Sequence, residues 1–304
     1  MATRLRQFRT RRPAAVTVGT FDGVHKGHSK IIRQTVAAAR HAGLQPLALT
    51  FAAPPASHFG QQAKPLLLPL PARLRLIGQL GARPIVVDFR DVADYSPEQF
   101  VADVLVARLR AKVVVASAKF RFGKGRRGNL ATLRRLGRKY GFAVLVAETA
   151  RIAGRAVSST AVRAALAAGD IAKAESWLGY RPLFIGMVVK GHGVGRSLGF
   201  PTLNLDIGKR QLVPAEGIYA CWIRYGTGWH KGALYIGRRP TFRGGTRSIE
   251  VYVISAQLGR MAGRTVAVEL VARVRGDKRF ASRQQLQAGI AKDVQAIKRL
   301  LSRP

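Results

Sequence analysis

Ala14-Ala15-Val16-Thr17-Val18-Gly19-Thr20-Phe21-Asp22-Gly23-Val24-His25-Lys26-Gly27-His28 decides the fold of the first half of the chain. An apolar run, Ala14–Gly19, ends on glycine and opens into a polar, glycine-rich loop. From Ser29 to Ala42, residues Ile31, Ile32, Val36 and Ala39 then fall at helical spacing before Gly43. A strand that passes through a glycine loop into a helix opens a β-α-β unit. Gly19, Gly23 and Gly27 let the backbone approach a phosphate, and the helix N-terminus beyond supplies free N–H groups and positive potential. His25 and His28 sit in that loop, where two imidazoles can bond phosphoryl oxygens as charge builds in an in-line displacement. A lone histidine is more often structural; two in one strand-to-helix loop point to a nucleotide site.

Outward from this stretch the same rhythm repeats. Leu47–Phe51, Pro84–Phe89, Lys112–Ala116 and Ala143–Ala147 read as strands, and Ala72–Leu80, Pro97–Arg110 and Asn129–Tyr140 as helices between them. The expectation is an α/β domain whose parallel sheet is covered by helices on both faces, with ligands at the carboxyl ends of the strands. The rhythm changes near Leu183. Ile185–Val189, Ile218–Tyr225, Ala233–Ile236, Ile249–Ile254 and Thr265–Val274 are short strands broken by Gly, Pro and Asn, which suggests a closed barrel or a sandwich. Ser282–Leu301 returns to a helical period, with Leu286, Ile290, Val294 and Ile297 on one stripe and Ser282 placed to cap it. The boundary falls between Tyr180 and Leu183, giving domains 1–182 and 183–304.

The 304 residues suit two domains, and 52 Lys+Arg against 15 Asp+Glu leave a net charge of +37. Such an excess attracts polyanions without naming one. In a chain also rich in Ala and Gly, compositional drift is the plainer explanation. Nucleic acid is a possible partner, yet no helix-turn-helix, zinc-finger or RNP-like pattern favours it. The single cysteine, Cys221, excludes an internal disulfide framework and a cysteine-based zinc cluster, and fits a reducing compartment. No uncharged apolar run reaches the roughly 18 residues of a membrane span. Met1–Pro13 is Arg-rich with no apolar segment, unlike a secretory signal. The expected location is the cytoplasm, with no membrane association; the sequence leaves the oligomeric state open.

The wording G-x-F-D-G-V-H-x-G-H at Gly19–His28 resembles the H-x-G-H signature of nucleotidyltransferases, and in particular the FMN adenylyltransferase module of bacterial bifunctional riboflavin kinase/FAD synthetases. That resemblance implies a Rossmann-like domain that moves AMP from ATP to FMN, with Gly19, Phe21, Gly23 and Gly27 at the nucleotide and His25 and His28 at the reacting phosphate. It also implies a phosphate-cradling S-S-T-x-x-R element, which stands here as Ser158-Ser159-Thr160-Ala161-Val162-Arg163 at the start of a helical pattern, Ala161–Ala168. A capped helix is the plainer explanation of that element taken alone. Two segments depart from the family. Its T-F-x-P-H-P reads Thr50-Phe51-Ala52-Ala53-Pro54-Pro55, with proline in place of histidine and His58 four positions on. Its flavin loop V-G-x-[DN]-F-x-F-G reads Ala116-Ser117-Ala118-Lys119-Phe120-Arg121-Phe122-Gly123, keeping Phe120 and Phe122 as flavin-binding candidates. The basic run Lys124-Gly125-Arg126-Arg127 beyond it is a phosphate clamp or a solvated loop.

In the second half, Gly186-Met187-Val188-Val189-Lys190-Gly191-His192-Gly193-Val194-Gly195-Arg196-Ser197-Leu198-Gly199-Phe200-Pro201-Thr202-Leu203-Asn204 is similar to the riboflavin kinase signature G-x-V-x-x-G-x-x-x-G-R-x-L-G-F-P-T-x-N. Gly191, Gly193 and Gly195 can form a backbone nest for ATP phosphates, joined by Arg196. The Thr202 hydroxyl and Asn204 amide are hard oxygen ligands suited to Mg²⁺ held jointly with ATP. The resemblance adds Phe200 and Pro201 at the flavin and Glu250 as the base that takes the proton from riboflavin's primary alcohol. Val213–Ala220 and Ile236-Gly237-Arg238-Arg239-Pro240-Thr241-Phe242 agree with it, although Tyr235 and Tyr252 stand where Asn and His are common. The resemblance therefore implies a six-stranded antiparallel kinase barrel with a C-terminal helix. The expected substrates of the whole chain are riboflavin, FMN and ATP, with Mg²⁺ as cofactor, and its products FMN and FAD. Two alternatives accompany it: a kinase whose first domain binds nucleotide without chemistry, and a polyanion-binding relative.

Overall fold

The protein is seen in a computed structural model that describes residues 8–58, 64–191, 193–208, 210–226, 228–238, 247–255 and 261–302. Its contacts group into two compact units, Met1–Lys64 with Leu70–Ser158, and Pro65–Pro69 with Ser159–Pro304.

The first unit holds strands β1 (Ala14–Val18), β2 (Gln45–Phe51), β3 (Arg83–Val87), β4 (Ala111–Ser117) and β5 (Ala143–Ala147), all parallel, in the order β3-β2-β1-β4-β5. Between them run α1 (Lys26–His41), α2 (Leu70–Gln79), α3 (Pro97–Gln99) and α4 (Leu130–Tyr140), and a short pair, β6 (Arg151–Ile152) and β7 (Arg155–Ala156), follows. The expected helix over 97–110 is present but changes character. After α3 the backbone widens into a π-helix over Phe100–Arg108, and the N–H of Leu109 reaches the carbonyl of Val104, five residues back, at 3.0 Å. On one sheet face Ile32 and Val36 of α1 and Ile77 of α2 pack with Ala48. On the other, Val101, Val104 and Leu105 of the π-helix and Leu133 and Leu136 of α4 pack with Val16, Leu47 and Leu49. At about 2 kcal/mol for each fully buried Leu or Ile, these two layers rather than helix propensity hold the sheet. Strand order reverses at β1, so the loops that follow β1 and β4 flank the crevice where such sheets take their ligands.

The second unit begins with α5 (Ser159–Ala168) and α6 (Ile171–Leu178). It continues with β8 (Leu183–Val189), α7 (Val194–Ser197), β9 (Thr202–Asp206), β10 (Gly217–Tyr225), β11 (Gly228–Arg238), β12 (Arg247–Val253), β13 (Thr265–Arg275) and α8 (Arg283–Leu300). The sequence pattern allows barrel or sandwich; the strands close into a barrel, β10-β11-β12-β9-β8-β13. The helical rhythm stops near 182, whereas the compact units part after Ser158. The difference is α5 and α6, which look like the first half in period but bury Ala174, Trp177 and Leu178 within the second unit. β9 also escapes the strand reading, because it begins inside the long glycine-rich motif.

Alternation places Tyr219, Cys221, Ile223, Leu234, Ile236, Val251, Val266 and Val268 inside the barrel, each 0–1% exposed. Burial raises the Cys221 thiol pKa far above its ordinary value. The outer face is partly covered by α8, which lays Val294, Ile297 and Leu301 against Ala220 with Trp222, Ala233 and Tyr252 around them. Ser282 caps α8 as expected, accepting from the Gln285 N–H at 3.1 Å. Arg275 at the end of β13 donates to both carboxylate oxygens of Asp293, Nε to Oδ1 at 2.9 Å and a terminal nitrogen to Oδ2 at 2.7 Å.

Candidate active sites

The Gly19–His28 loop leaves the carboxyl end of β1 through a run of left-handed backbone: φ is +46° at Phe21, +78° at Gly23 and +35° at Val24. That conformation costs Phe21 and Val24 about 1–3 kcal/mol each, and their burial in the α1/α2 layer is what holds them there. The turn brings His25 to the cap of α1, where its Nδ1 accepts the His28 N–H at 3.3 Å. The two imidazoles stack at 3.7 Å between centroids and 15° between planes, and the Phe21 ring meets His28 edge-on at 5.4 Å. Gly27 is tight, since a Cβ there would sit 3.0 Å from the His25 ring and 3.6 Å from the Val157 carbonyl. Burial, then His25 and Arg73, hold the His28 pKa well below its ordinary value, and its Nδ1 is buried with no hydrogen-bond partner among the described residues.

Around this loop the other expected residues fall unevenly. Phe120 and Phe122 stack at 5.4 Å, but Phe122 is a core residue, 6% exposed and packed on Phe100. Phe120 is half-buried and Lys119 is exposed, so both are open to a ligand. Pro54 caps a short 3₁₀ turn, Pro55–Ser57, and exposed His58 lies edge-on to Phe89 at 5.7 Å. Ser158 closes the first unit and is exposed. Ser159, Thr160 and Arg163 open the second, on the first turns of α5, and the Arg163 Nε donates to the Pro65 carbonyl at 2.8 Å.

In the second unit the site lies on the outer face of the barrel. On β12, Ile249, Val251 and Val253 point into the core, which turns Ser248, Glu250 and Tyr252 outward. The register sets Asn204 opposite Glu250 and Thr202 opposite Tyr252 across β9, and Tyr235 opposite Glu250 across β11. Both oxygens of Glu250 accept hydroxyl protons, one from Thr202 and one from Ser248, each at 2.8 Å. The glycine run leads into this face. Gly193 is left-handed at φ +75° and starts α7, and the Phe200 N–H returns to the Gly195 carbonyl at 2.8 Å. A Cβ on Gly191 would strike the Asn204 amide, and one on Gly195 would strike the Phe200 carbonyl and approach the Thr202 hydroxyl at 3.1 Å. Phe200 meets Tyr252 edge-on at 5.4 Å, while Pro201 and Arg196 are exposed beside them. From the far side α8 holds the loop: Arg283 donates to the Ser197 carbonyl at 2.6 Å and Gln287 to that of Leu198 at 3.2 Å. His192 and Arg239–Phe242 lie outside the described residues.

Sequence reasoning misses three kinds of participant. Ser248 has no signal beyond its alternation with Glu250. Arg283 and Gln287 look like the solvent side of an amphipathic helix. Arg73 does leave a trace, an arginine on the buried stripe of α2 that also carries Ile77.

A strained strand-to-helix loop with paired histidines, and a glycine run beside a carboxylate, a hydroxyl and an amide, are groups that a nucleotide-dependent transferase uses. Comparison with known proteins gives that class its family. An FAD synthetase family model matches residues 7–161 and a riboflavin kinase model residues 178–301. The bifunctional riboflavin kinase/FMN adenylyltransferase of Escherichia coli K12 is 36% identical over 283 residues, 91% of this chain and 90% of its own length. That of Bacillus subtilis 168 is 33% identical over 298 residues, 95% of this chain and 93% of its own. The chain belongs to the bifunctional riboflavin kinase/FMN adenylyltransferase family. A crystal structure described as a macrolide-efflux protein from Streptococcus pneumoniae superposes at TM-score 0.87, with 26% identity and 98% of both chains covered. Among the described residues no helix is long and apolar enough to cross a membrane.

Proposed function

We propose that the chain phosphorylates riboflavin with ATP to give FMN on the barrel, and adenylylates FMN with a second ATP to give FAD and pyrophosphate at the parallel sheet. Family membership carries the two activities. The single structural observation behind the kinase assignment is the Thr202–Glu250–Ser248 cluster next to the glycine nest. Functional boundaries at 1–182 and 183–304, and a cytoplasmic location, go with this reading.

On the barrel, the Gly191–Gly195 backbone and Arg196 bind the ATP phosphates, and Phe200 and Pro201 face the flavin. The fit of Mg²⁺, which arrives with ATP, rests on the donor set. The Thr202 hydroxyl and the Asn204 amide stand over two glycines whose missing Cβ atoms leave room for them. When bound there, the cation would offset charge on the transferring phosphoryl group. Because Thr202 gives its proton to Glu250, its oxygen lone pairs stay free for a cation. Glu250, oriented by two hydroxyls, accepts the proton of the ribityl alcohol as that oxygen bonds to the γ-phosphorus and the bond to the leaving ADP oxygen breaks. At the sheet, Gly19, Phe21, Gly23 and Gly27 shape the nucleotide loop, and Phe120 offers a face to the isoalloxazine with Phe122 behind it. His25 and His28 bond α-phosphoryl oxygens while an FMN phosphate oxygen displaces pyrophosphate. Ser158, Ser159, Thr160 and Arg163 bind the ATP phosphates in this reading.

Pro54 and Lys119 favour a second reading, in which the first unit binds nucleotide without transferring AMP. Incubation of the purified chain with riboflavin, ATP and Mg²⁺, followed by chromatographic separation of the flavins, decides between them. FMN followed by FAD is the expected result, and a halt at FMN selects the second reading. Glu250→Gln should lower FMN formation by about 10²–10⁴-fold. Unchanged FMN formation in that variant removes Glu250 from the base role.

A further inference from the structure

We propose that Arg73, on α2, is a positioning residue of the adenylyl-transfer centre: it ties the carboxyl ends of β1 and β2 together beneath the nucleotide loop and sets its charge against His28. The proposal rests on the adenylyltransferase reading above, and it concerns a residue outside the loop motifs.

Arg73 is 1% exposed, the largest fully buried side chain among the described residues. A buried guanidinium is costly unless its donors are used. Arg73 directs two of them at main-chain carbonyls, donating at 2.7 Å to Thr20, inside the nucleotide loop, and at 2.6 Å to Phe51, the last residue of β2. The Thr50 hydroxyl also donates to the Thr20 carbonyl, at 3.2 Å, so groups from both α2 and β2 converge on the first bend of the loop. Phe51 belongs to the segment Thr50–Pro55, in which Pro54 stands. One side chain thus fixes both strand ends at the crevice.

The charge has its own effect. Asp22, buried in the loop, is the acidic group that favours the Arg73 cation, whereas burial opposes it. The charged and titratable neighbours that act on His28 are His25 and Arg73, and both oppose its protonation. A neutral imidazole keeps one N–H donor and one acceptor for a phosphoryl oxygen and its surroundings, and a fixed cation beneath it adds to the positive potential where transition-state charge collects. The Nε of Arg73 and the Nδ1 of His28 are both buried without a partner among the described residues. Neither atom is consumed by the fold.

The test compares Arg73→Met and Arg73→Lys with the parent chain, in three measurements: FAD formation from supplied FMN, FMN formation from riboflavin, and the NMR titration of the His28 imidazole without substrate. Arg73→Met should lower kcat for FAD formation about 100-fold, the order expected when a reacting group is misplaced by about 1 Å. FMN formation should stay within about twofold, since the barrel centre lies in the other unit. The His28 midpoint should rise in Arg73→Met and return toward the parent value in Arg73→Lys, which keeps the charge but can reach only one carbonyl. A purely structural role would not move that midpoint. Equal FAD turnover and an unchanged midpoint in a folded Arg73→Met overturn the proposal. If Arg73→Met loses the fold of the first unit, Arg73→Lys decides alone. A kcat deficit with the His28 midpoint preserved supports the strand clamp, and parent-like kcat refutes it. If the parent chain makes no FAD, the adenylyltransferase reading fails, while the His28 titration still judges Arg73.

Discussion

Replacing Gly191 with alanine adds one methyl group, and the geometry says where it goes. The backbone at Gly191 is outside the left-handed region, so alanine is conformationally acceptable there. The new Cβ, however, would overlap the side-chain amide of Asn204. Asn204 must turn away, at about 0.5–1.5 kcal/mol for an off-rotamer side chain, or the glycine loop must lift off β9. In the first case the amide leaves the position opposite Glu250 that the strand register sets, and in the second the phosphate-binding backbone leaves the amide. Loss of one orienting contact at a phosphate and metal centre costs about 10–100-fold in activity, so kcat/KM for FMN formation should fall by that factor. FAD formation from supplied FMN should be unchanged, and the thermal midpoint should drop by no more than a few degrees, since about 1 kcal/mol moves it about 2–8 °C. Gly193 supplies the contrast: its φ is +75° and a Cβ added there would meet nothing within 4 Å, so alanine strains the backbone of the loop without displacing Asn204. Coupled assays of both activities on both variants read the difference. Full kinase activity in Gly191→Ala, with Asn204 demonstrably displaced, would refute the role given to Asn204.

Three more outcomes follow from the same contacts. Asp293→Ala leaves the partly buried Arg275 guanidinium without its carboxylate and loosens α8; with side chains 10% and 26% exposed, the cost should fall near ~2–3 kcal/mol, below the roughly 3–5 of a fully buried pair, and denaturant titration of the intact chain measures it. Because the folded state holds the His28 pKa below its ordinary 6.5, the unfolded chain binds the proton first as the solution is acidified. The first unit should therefore lose stability as pH falls through about 6.5, by at most ~1.4 kcal/mol per pH unit from this group, and His28→Gln should flatten the slope of midpoint against pH. Tyr235→Phe removes the hydroxyl that bonds Asp277 and whose pKa burial, aided by Asp277 and Glu250, pushes up to about 12; loss of that bond should cost about 1 kcal/mol by thermal melting.

Much of this architecture is legible in the chain itself, for a physical reason. In a parallel sheet buried on both faces, strands such as Leu47–Phe51 and Lys112–Ala116 are apolar nearly throughout, and the helices between them carry a single stripe. The glycine motifs are legible because few residue types permit φ near +75° or a backbone this close to an amide. What stays hidden depends on partners distant in sequence. α6 carries a helical period whichever unit it packs on, so pattern cannot assign it. Glu250 and Thr202 meet only because β9 and β12 pair, and β9 is concealed by its own motif. Phe122 reads as a flavin contact from the loop wording, yet the same aromatic type at the same spacing fills the core behind Phe120. Arg73 is discoverable only as an anomaly, a charge on an apolar stripe.

The buried position of Cys221 makes the chain a convenient object for site-specific labelling. The only thiol in the sequence is 0% exposed inside the barrel and strongly disfavours the thiolate, so maleimides and alkylating agents should pass it by in the folded state. A cysteine introduced at an exposed position, such as Lys119 beside Phe120 or Ser197 on the glycine loop, would then be the one reactive handle. Fluorophores or spin probes could be placed there without first removing the native cysteine, and each catalytic centre could be watched on its own as nucleotide and flavin arrive.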